Sequence, residues 1–242
     1  AEFITRAPVG WLVDGLLPRR GLAAIYGASG SGKSFLAVDL VGAVARGVSW
    51  RGMGVEQGRV VYVAAEGADG MAVRMRGYAQ QPGVDPRAMP LAVSTGAGSL
   101  FKPSDDAAVA KLIEQSGGAA VIVIDTLAQT VPGADENAGV DMGRVVANCQ
   151  RLQRATGALV LLVAHTGKDE AREERGWSGL RAALDASIKV VRPMQGALRE
   201  ARLMKAKDGA DGLRLPFRLR PVTVGIDERD RDITTCVVEH VS

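Results

Sequence analysis

The octapeptide Gly27-Ala28-Ser29-Gly30-Ser31-Gly32-Lys33-Ser34 constrains this chain more than any other stretch of it. It satisfies G-x-x-x-x-G-K-S in full. An apolar run, Leu22-Ala23-Ala24-Ile25-Tyr26, precedes it, and a helical pattern over 33–46 follows, with apolar residues at 36, 40, 41 and 44 and Gly47 as C-cap. A strand that turns through glycines into a helix N-terminus is built to hold phosphate. The glycines let successive N–H groups converge on phosphate oxygens, and the helix end adds a positive dipole. In that role Lys33 reaches the β- and γ-phosphates, the Ser34 hydroxyl ligates Mg2+, and the cradle runs on to Phe35. The competing reading, a glycine-rich turn without ligand, has both pattern and context against it.

The rest of the chain alternates strands and helices. Val60-Val61-Tyr62-Val63-Ala64 and Val121-Ile122-Val123-Ile124 are continuous apolar runs, as expected of strands covered on both faces, and Leu159 to Ala164 is a third. Ser104, followed by Asp105 and Asp106, can cap a helix that Gly117 and Gly118 close. Val140 to Thr156 carries Met142, Val145, Val146, Cys149 and Leu152 on one stripe. This β-α-β order predicts an α/β fold, a mostly parallel sheet flanked by helices. Residues 184–192, 198–206, 214–219 and 233–238 read as strands joined by short turns, an antiparallel extension of the same sheet over 184–242. The expectation is one domain spanning 1–242, with 1–20 as an N-terminal arm.

Three strand ends place chemistry beside the phosphate loop, because parallel strands bring their carboxyl ends to one edge. Asp125 ends Val121–Ile124 and has the position of an acid that orients a Mg2+ shell through water; the plainer role is a helix cap. Glu66 follows Val60–Ala65 and can position and deprotonate an attacking water, or simply be a solvated loop acid. His165 follows Leu159–Ala164 and can contact a γ-phosphate, or be a satisfied core histidine.

Taken in order, these stretches resemble the RecA-type ring ATPases, most closely the plasmid RepA-type replicative helicases and their phage and mobile-element AAA-type relatives. The resemblance is carried by Gly27–Ser34, Tyr62–Glu66, Ile124-Asp125-Thr126-Leu127 with Asp135-Glu136-Asn137-Ala138, Thr156-Gly157, Val163–Lys168 and Arg175–Leu180. It covers residues 11 to about 209. It implies a RecA-like core that binds ATP and Mg2+, Glu66 as catalytic base and His165 as γ-phosphate sensor. It further implies a hexameric or other ring, with ATP at subunit interfaces and a basic finger reaching in from the neighbour at Lys205 or Lys207. This sequence has Lys-x-Lys there, where arginine is frequent and offers a forked guanidinium that lysine lacks. The segment Thr166 to Arg181 corresponds to the loop that grips single-stranded DNA, although its four basic and four acidic residues balance.

Composition narrows the alternatives. At 47% hydrophobic and 24% charged, with net charge +3, the chain is neither disordered nor a polyelectrolyte. Residues 189–220 hold nine Lys or Arg against three acids, a local excess of six. That excess suits a polyanion surface or a charged sheet face. Only 4% of residues are aromatic, which argues against DNA binding by base stacking but not through lysines and backbone amides. Two histidines are too few for most metal or triad schemes, and Cys149 and Cys236 fit no ligand spacing. No apolar run approaches the ~18 residues of a membrane span, so the expected location is cytoplasmic, with no membrane partner. The expected function is a Mg2+-dependent ATPase that translocates on single-stranded DNA as a replicative helicase, with a primase or initiator as possible partner. The rivals are a regulatory ATPase, a slow nucleotide switch and a monomeric nucleoside kinase.

Overall fold

The computed structural model describes residues 10–65, 67–95, 111, 113–114, 117–131, 139–165, 179–193 and 196–241. A short ribbon comes first, β1 (Trp11–Val13) against β2 (Leu17–Pro18). Then follow β3 (Gly21–Gly27), α1 (Lys33–Arg46), β4 (Val60–Ala64), α2 (Ala68–Ala79), β5 (Leu91–Ser94) and β6 (Val121–Asp125). The single turn α3 (Leu127–Thr130), α4 (Gly139–Thr156) and β7 (Leu159–His165) complete the alternating part. The chain ends with β8 (Ala186–Val191), β9 (Arg199–Ala206), β10 (Arg214–Ile226) and β11 (Asp232–His240).

Among the described residues nine strands form one sheet in the order β11-β10-β9-β8-β3-β7-β6-β4-β5. The six from β8 to β5 are mutually parallel. The doubly apolar strands divide their side chains between two cores, as the two-residue period requires. Ala23, Ile25, Val121, Val123, Leu159 and Leu161 face the layer with α1 and α2. Leu22, Ala24, Ile122, Ile124, Val160 and Leu162 face Met142, Val145, Cys149 and Leu152 of α4. Full burial pushes the Cys149 thiol up to about 12, so it packs as an apolar group.

Two expectations about the chain ends are corrected. The antiparallel extension starts at β9, since β8 pairs in parallel with β3. Residues 11–18 are not an arm, because Leu12, Val13, Leu16 and Leu17 are all buried in the α1 core. Helix α1 keeps its expected bounds, and Gly47 in the left-handed region (φ 65) caps it by donating to Val44 O at 3.2 Å. Helix α2 and strand β5 were not anticipated. Most of the helix expected after Ser104 lies outside the described residues, as does Asp135–Ala138.

The last hairpin closes over the helices. His240 Nε2 and the Trp50 indole N–H both meet Asp39 Oδ2 at 2.7 Å, tying α1 to β11 and giving the second histidine a structural role. Helices α1 and α2 cross closely at Gly42, where a β-carbon would lie 2.3 Å from Tyr78 Cζ. Gly42→Ala should gain about 1 kcal/mol of helix propensity and lose more to displacement of the buried ring. We expect a net loss of about 1–2 kcal/mol, read as a thermal midpoint a few degrees lower.

Candidate nucleotide-binding site

The glycine-rich turn follows β3 because β3 ends between two parallel neighbours, β7 and β8, at the carboxyl edge of the sheet. Gly27 has φ 152, and a β-carbon there would sit 2.3 Å from the Val190 carbonyl oxygen of β8, so only glycine fits. Lys33, 4% exposed, turns its ammonium back across the loop. It donates to Gly27 O and Ala28 O, each at 2.9 Å, and meets His165 Nδ1 at 3.0 Å. With a protonated lysine, His165 Nδ1 is the acceptor. Gly27 and His165 are register partners across β3 and β7, which is why two residues 138 positions apart reach the same lysine.

Asp125 ends β6 in the same layer, 3% exposed, with its backbone oxygen accepting from Ala65 N at 2.7 Å. The Tyr62 hydroxyl donates to Asp125 Oδ2 at 2.6 Å, while Oδ1 is buried and has no hydrogen-bond partner among the described residues. Burial, then the adjacent Asp125 charge, holds the Tyr62 phenol well above its usual range, so it remains a donor. An orphaned buried carboxylate oxygen and a half-buried Ser34 hydroxyl are hard oxygen donors, and they fit a Mg2+ ion that keeps its waters and shares phosphate oxygens. Among the described residues no three His, Cys, Asp or Glu are grouped so as to hold a metal by themselves. Tyr62 was read from the sequence only as a strand residue. Its role was visible solely through register, since Ala64 pairs with Asp125 and β4 lies beside β6. Tyr62→Phe should remove about 1.5–3 kcal/mol of stability by leaving that carboxylate without its donor, measurable by denaturant melts.

The remaining expected residues divide. Gly30 and Gly32 adopt positive φ (70 and 102), and Ser31 N donates to Ala28 O at 3.2 Å, which folds the loop. The Phe35 ring packs against the α1 core beneath the Arg74 guanidinium, 5.4 Å away, so Phe35 adds to the cradle through its backbone. Glu66 lies outside the described residues, as does 166–178 of the expected DNA loop. Lys205 and Lys207 are not at the loop of their own chain. Ser187 pairs with Lys205 at the start of β8, and the five steps from Ser187 to Arg192 span roughly 16 Å at about 3.3 Å each. There Lys205 Nζ donates to Arg181 O and Ala182 O at 3.1 Å, and Lys207 pairs with Asp185 at 3.4 Å.

What does stand beside the loop is Arg192 and Arg199. Arg199 Cδ and Nε lie 3.3 and 3.4 Å from where a Gly32 β-carbon would be, and Arg192 Nη1 lies 4.0 Å from the equivalent point on Gly30. Both were counted in the basic segment. Only the β8–β9 reversal, which returns the chain to the carboxyl edge, brings them beside the loop.

A family model described as an AAA domain matches residues 2–171 of the chain. Among solved structures, the crystal structure of the RadB recombinase superposes with a TM-score of 0.57 at 17% identity, covering 83% of this chain and 87% of that one. The fold is therefore RecA-like. No curated protein sequence matches significantly. No helix among the described residues is long and apolar enough to cross a membrane.

Proposed function

Since the chain belongs to the AAA-domain family, we propose that it is a Mg2+-dependent ATPase whose hydrolysis drives movement along single-stranded DNA. It does so as a ring, in the manner of the RepA-type replicative helicases. The observation that carries the ATPase reading is the Lys33 ammonium, poised between Gly27 O, Ala28 O and His165 Nδ1. Arriving phosphates offer that ammonium stronger, charged acceptors in place of two neutral carbonyls.

Each residue then has a separable task. The loop amides and Lys33 bind and orient the phosphates, and Ser34 with Asp125 would hold Mg2+, which supplies charge neutralisation at the leaving oxygens. Glu66 takes a proton from the attacking water. His165 exchanges its lysine contact for the γ-phosphate and, as the residue before 166–178, transmits the change to the DNA-gripping segment. Lys205 or Lys207, remote from the loop of their own chain, serve the site of a neighbouring subunit. The likeness to a protein named a recombinase supports a role on DNA.

A second reading has one observation in its favour. Lys205 and Lys207 are engaged within their own chain and lack the forked guanidinium, which suits a slow nucleotide switch or regulatory ATPase. Steady-state ATP hydrolysis at one fixed low salt, with and without single-stranded DNA, separates the two. The translocase reading expects stimulation of tenfold or more, and expects Glu66→Gln to keep ATP binding while losing about 10²–10⁴ in turnover. Hydrolysis indifferent to DNA supports the switch, and full activity of Glu66→Gln removes that residue from the reaction.

A further inference from the structure

The nine basic residues of 189–220 do not form one patch. The antiparallel course of β9 sends Lys205 and Lys207 to the amino edge of the parallel strands and leaves Arg192 and Arg199 at the carboxyl edge, on either side of the β8–β9 turn. Arg192 Nη1 lies 4.0 Å from where a Gly30 β-carbon would be, and Arg199 Nε 3.4 Å from the equivalent point on Gly32, so both guanidinium groups flank the rim of the phosphate loop. Neither has a carboxylate partner among the described residues. Glu200, next to Arg199, points to the opposite face of its strand and pairs with Arg202 and Arg214. Arg199 Nη1 donates to Ala197 O at 3.2 Å, while its Nε is buried with no hydrogen-bond partner among the described residues. Burial first, and then the like charge of Arg192, hold the Arg199 guanidinium below its usual range. Two adjacent cations, one partly desolvated, are held against a loop that already gathers N–H donors. Such an arrangement is unfavourable until an anion joins it.

We propose that Arg192 and Arg199 are a guanidinium pair that binds the nucleotide's phosphates in cis, from the β8–β9 side of the loop. The proposal rests on the nucleotide reading of that loop and adds two residues to it. It also gives the site the forked, planar donors that Lys205 and Lys207 cannot supply. The Arg199 stem runs beside Gly32, where its Cδ and Leu219 Cδ1 both lie 3.3 Å from the β-carbon position.

The test is a fluorescence titration with mant-ADP and Mg2+ at one low salt, on the wild type, Arg192→Met, Arg199→Met, the double variant and Arg199→Lys. Methionine keeps the apolar stem that packs on Gly32 and removes the charge. We expect binding about tenfold weaker in each Met variant, a hundredfold or more in the double, and partial recovery in Arg199→Lys. Arg192 is exposed, so Arg192→Met reports on the charge even if Arg199→Met folds poorly. Unchanged affinity in Arg192→Met and in the double variant, with the wild type binding, overturns the proposal alone. A wild type that binds no mant-ADP overturns the nucleotide reading and the proposal with it.

Discussion

Lys33→Ala is expected to weaken ATP binding by about 10²–10³ and to leave no measurable turnover. The size follows from removing a charged donor from a preorganised phosphate site, a loss of about 2.7–4 kcal/mol in comparable oxyanion sites. The same substitution should scarcely disturb the unliganded protein. Lys33 is 4% exposed, and its ammonium is satisfied by two backbone carbonyls and a histidine, so deleting it also removes the cost of burying a cation. We expect the thermal midpoint of the unliganded variant within about 2–4 °C of wild type, equivalent to about 1 kcal/mol. Added Mg2+-ATP, which should raise the wild-type midpoint by mass action, should leave the variant unmoved. Equal ligand-induced shifts in the two proteins would remove Lys33 from the site.

How much of this was legible beforehand depended on whether a residue's role is local. The phosphate loop is local: eight consecutive residues with fixed chemistry determine it, and β3 and α1 appear where the pattern puts them. The placement of Asp125 and His165 at one edge was legible at one remove, because parallel strands of similar length must align their carboxyl ends, and in the register Gly27 pairs with His165 and Asp125 with Val163. Tyr62, Arg192 and Arg199 needed the neighbour relations of the sheet. Nothing in Tyr62-Val63 says that β4 lies beside β6, and nothing in the basic segment says which side chains return to the loop. The parallel pairing of β8 was hidden for the same reason. A strand followed by a hairpin reads as antiparallel, whereas the 179–183 helical turn and Asp185, which accepts from Leu22 N at 3.0 Å, start β8 level with β3. Long-range partners of this kind leave no short-range pattern in the chain.

Asp125 presents the reverse of the lysine case, and its substitution should improve the fold while disabling the site. The carboxylate is 3% exposed and receives one hydrogen bond, from Tyr62, with Oδ1 left unsatisfied. Such a group is costly to bury, and sites that bind ligands tolerate that cost for function. In Asp125→Asn the amide oxygen can keep the Tyr62 contact while the charge disappears. The unliganded protein should then gain about 1 kcal/mol, a midpoint roughly 2–4 °C higher. The amide N–H groups now face the position that a cation shell would occupy, offering donors where acceptors are needed. Hydrolysis should fall by about 10²–10³, with a Mg2+ requirement shifted to higher concentration, whereas binding of Mg2+-free ADP should change little. A variant that is less stable and fully active would mean that Asp125 serves the β4–β6 pairing through Tyr62 and takes no part in metal binding.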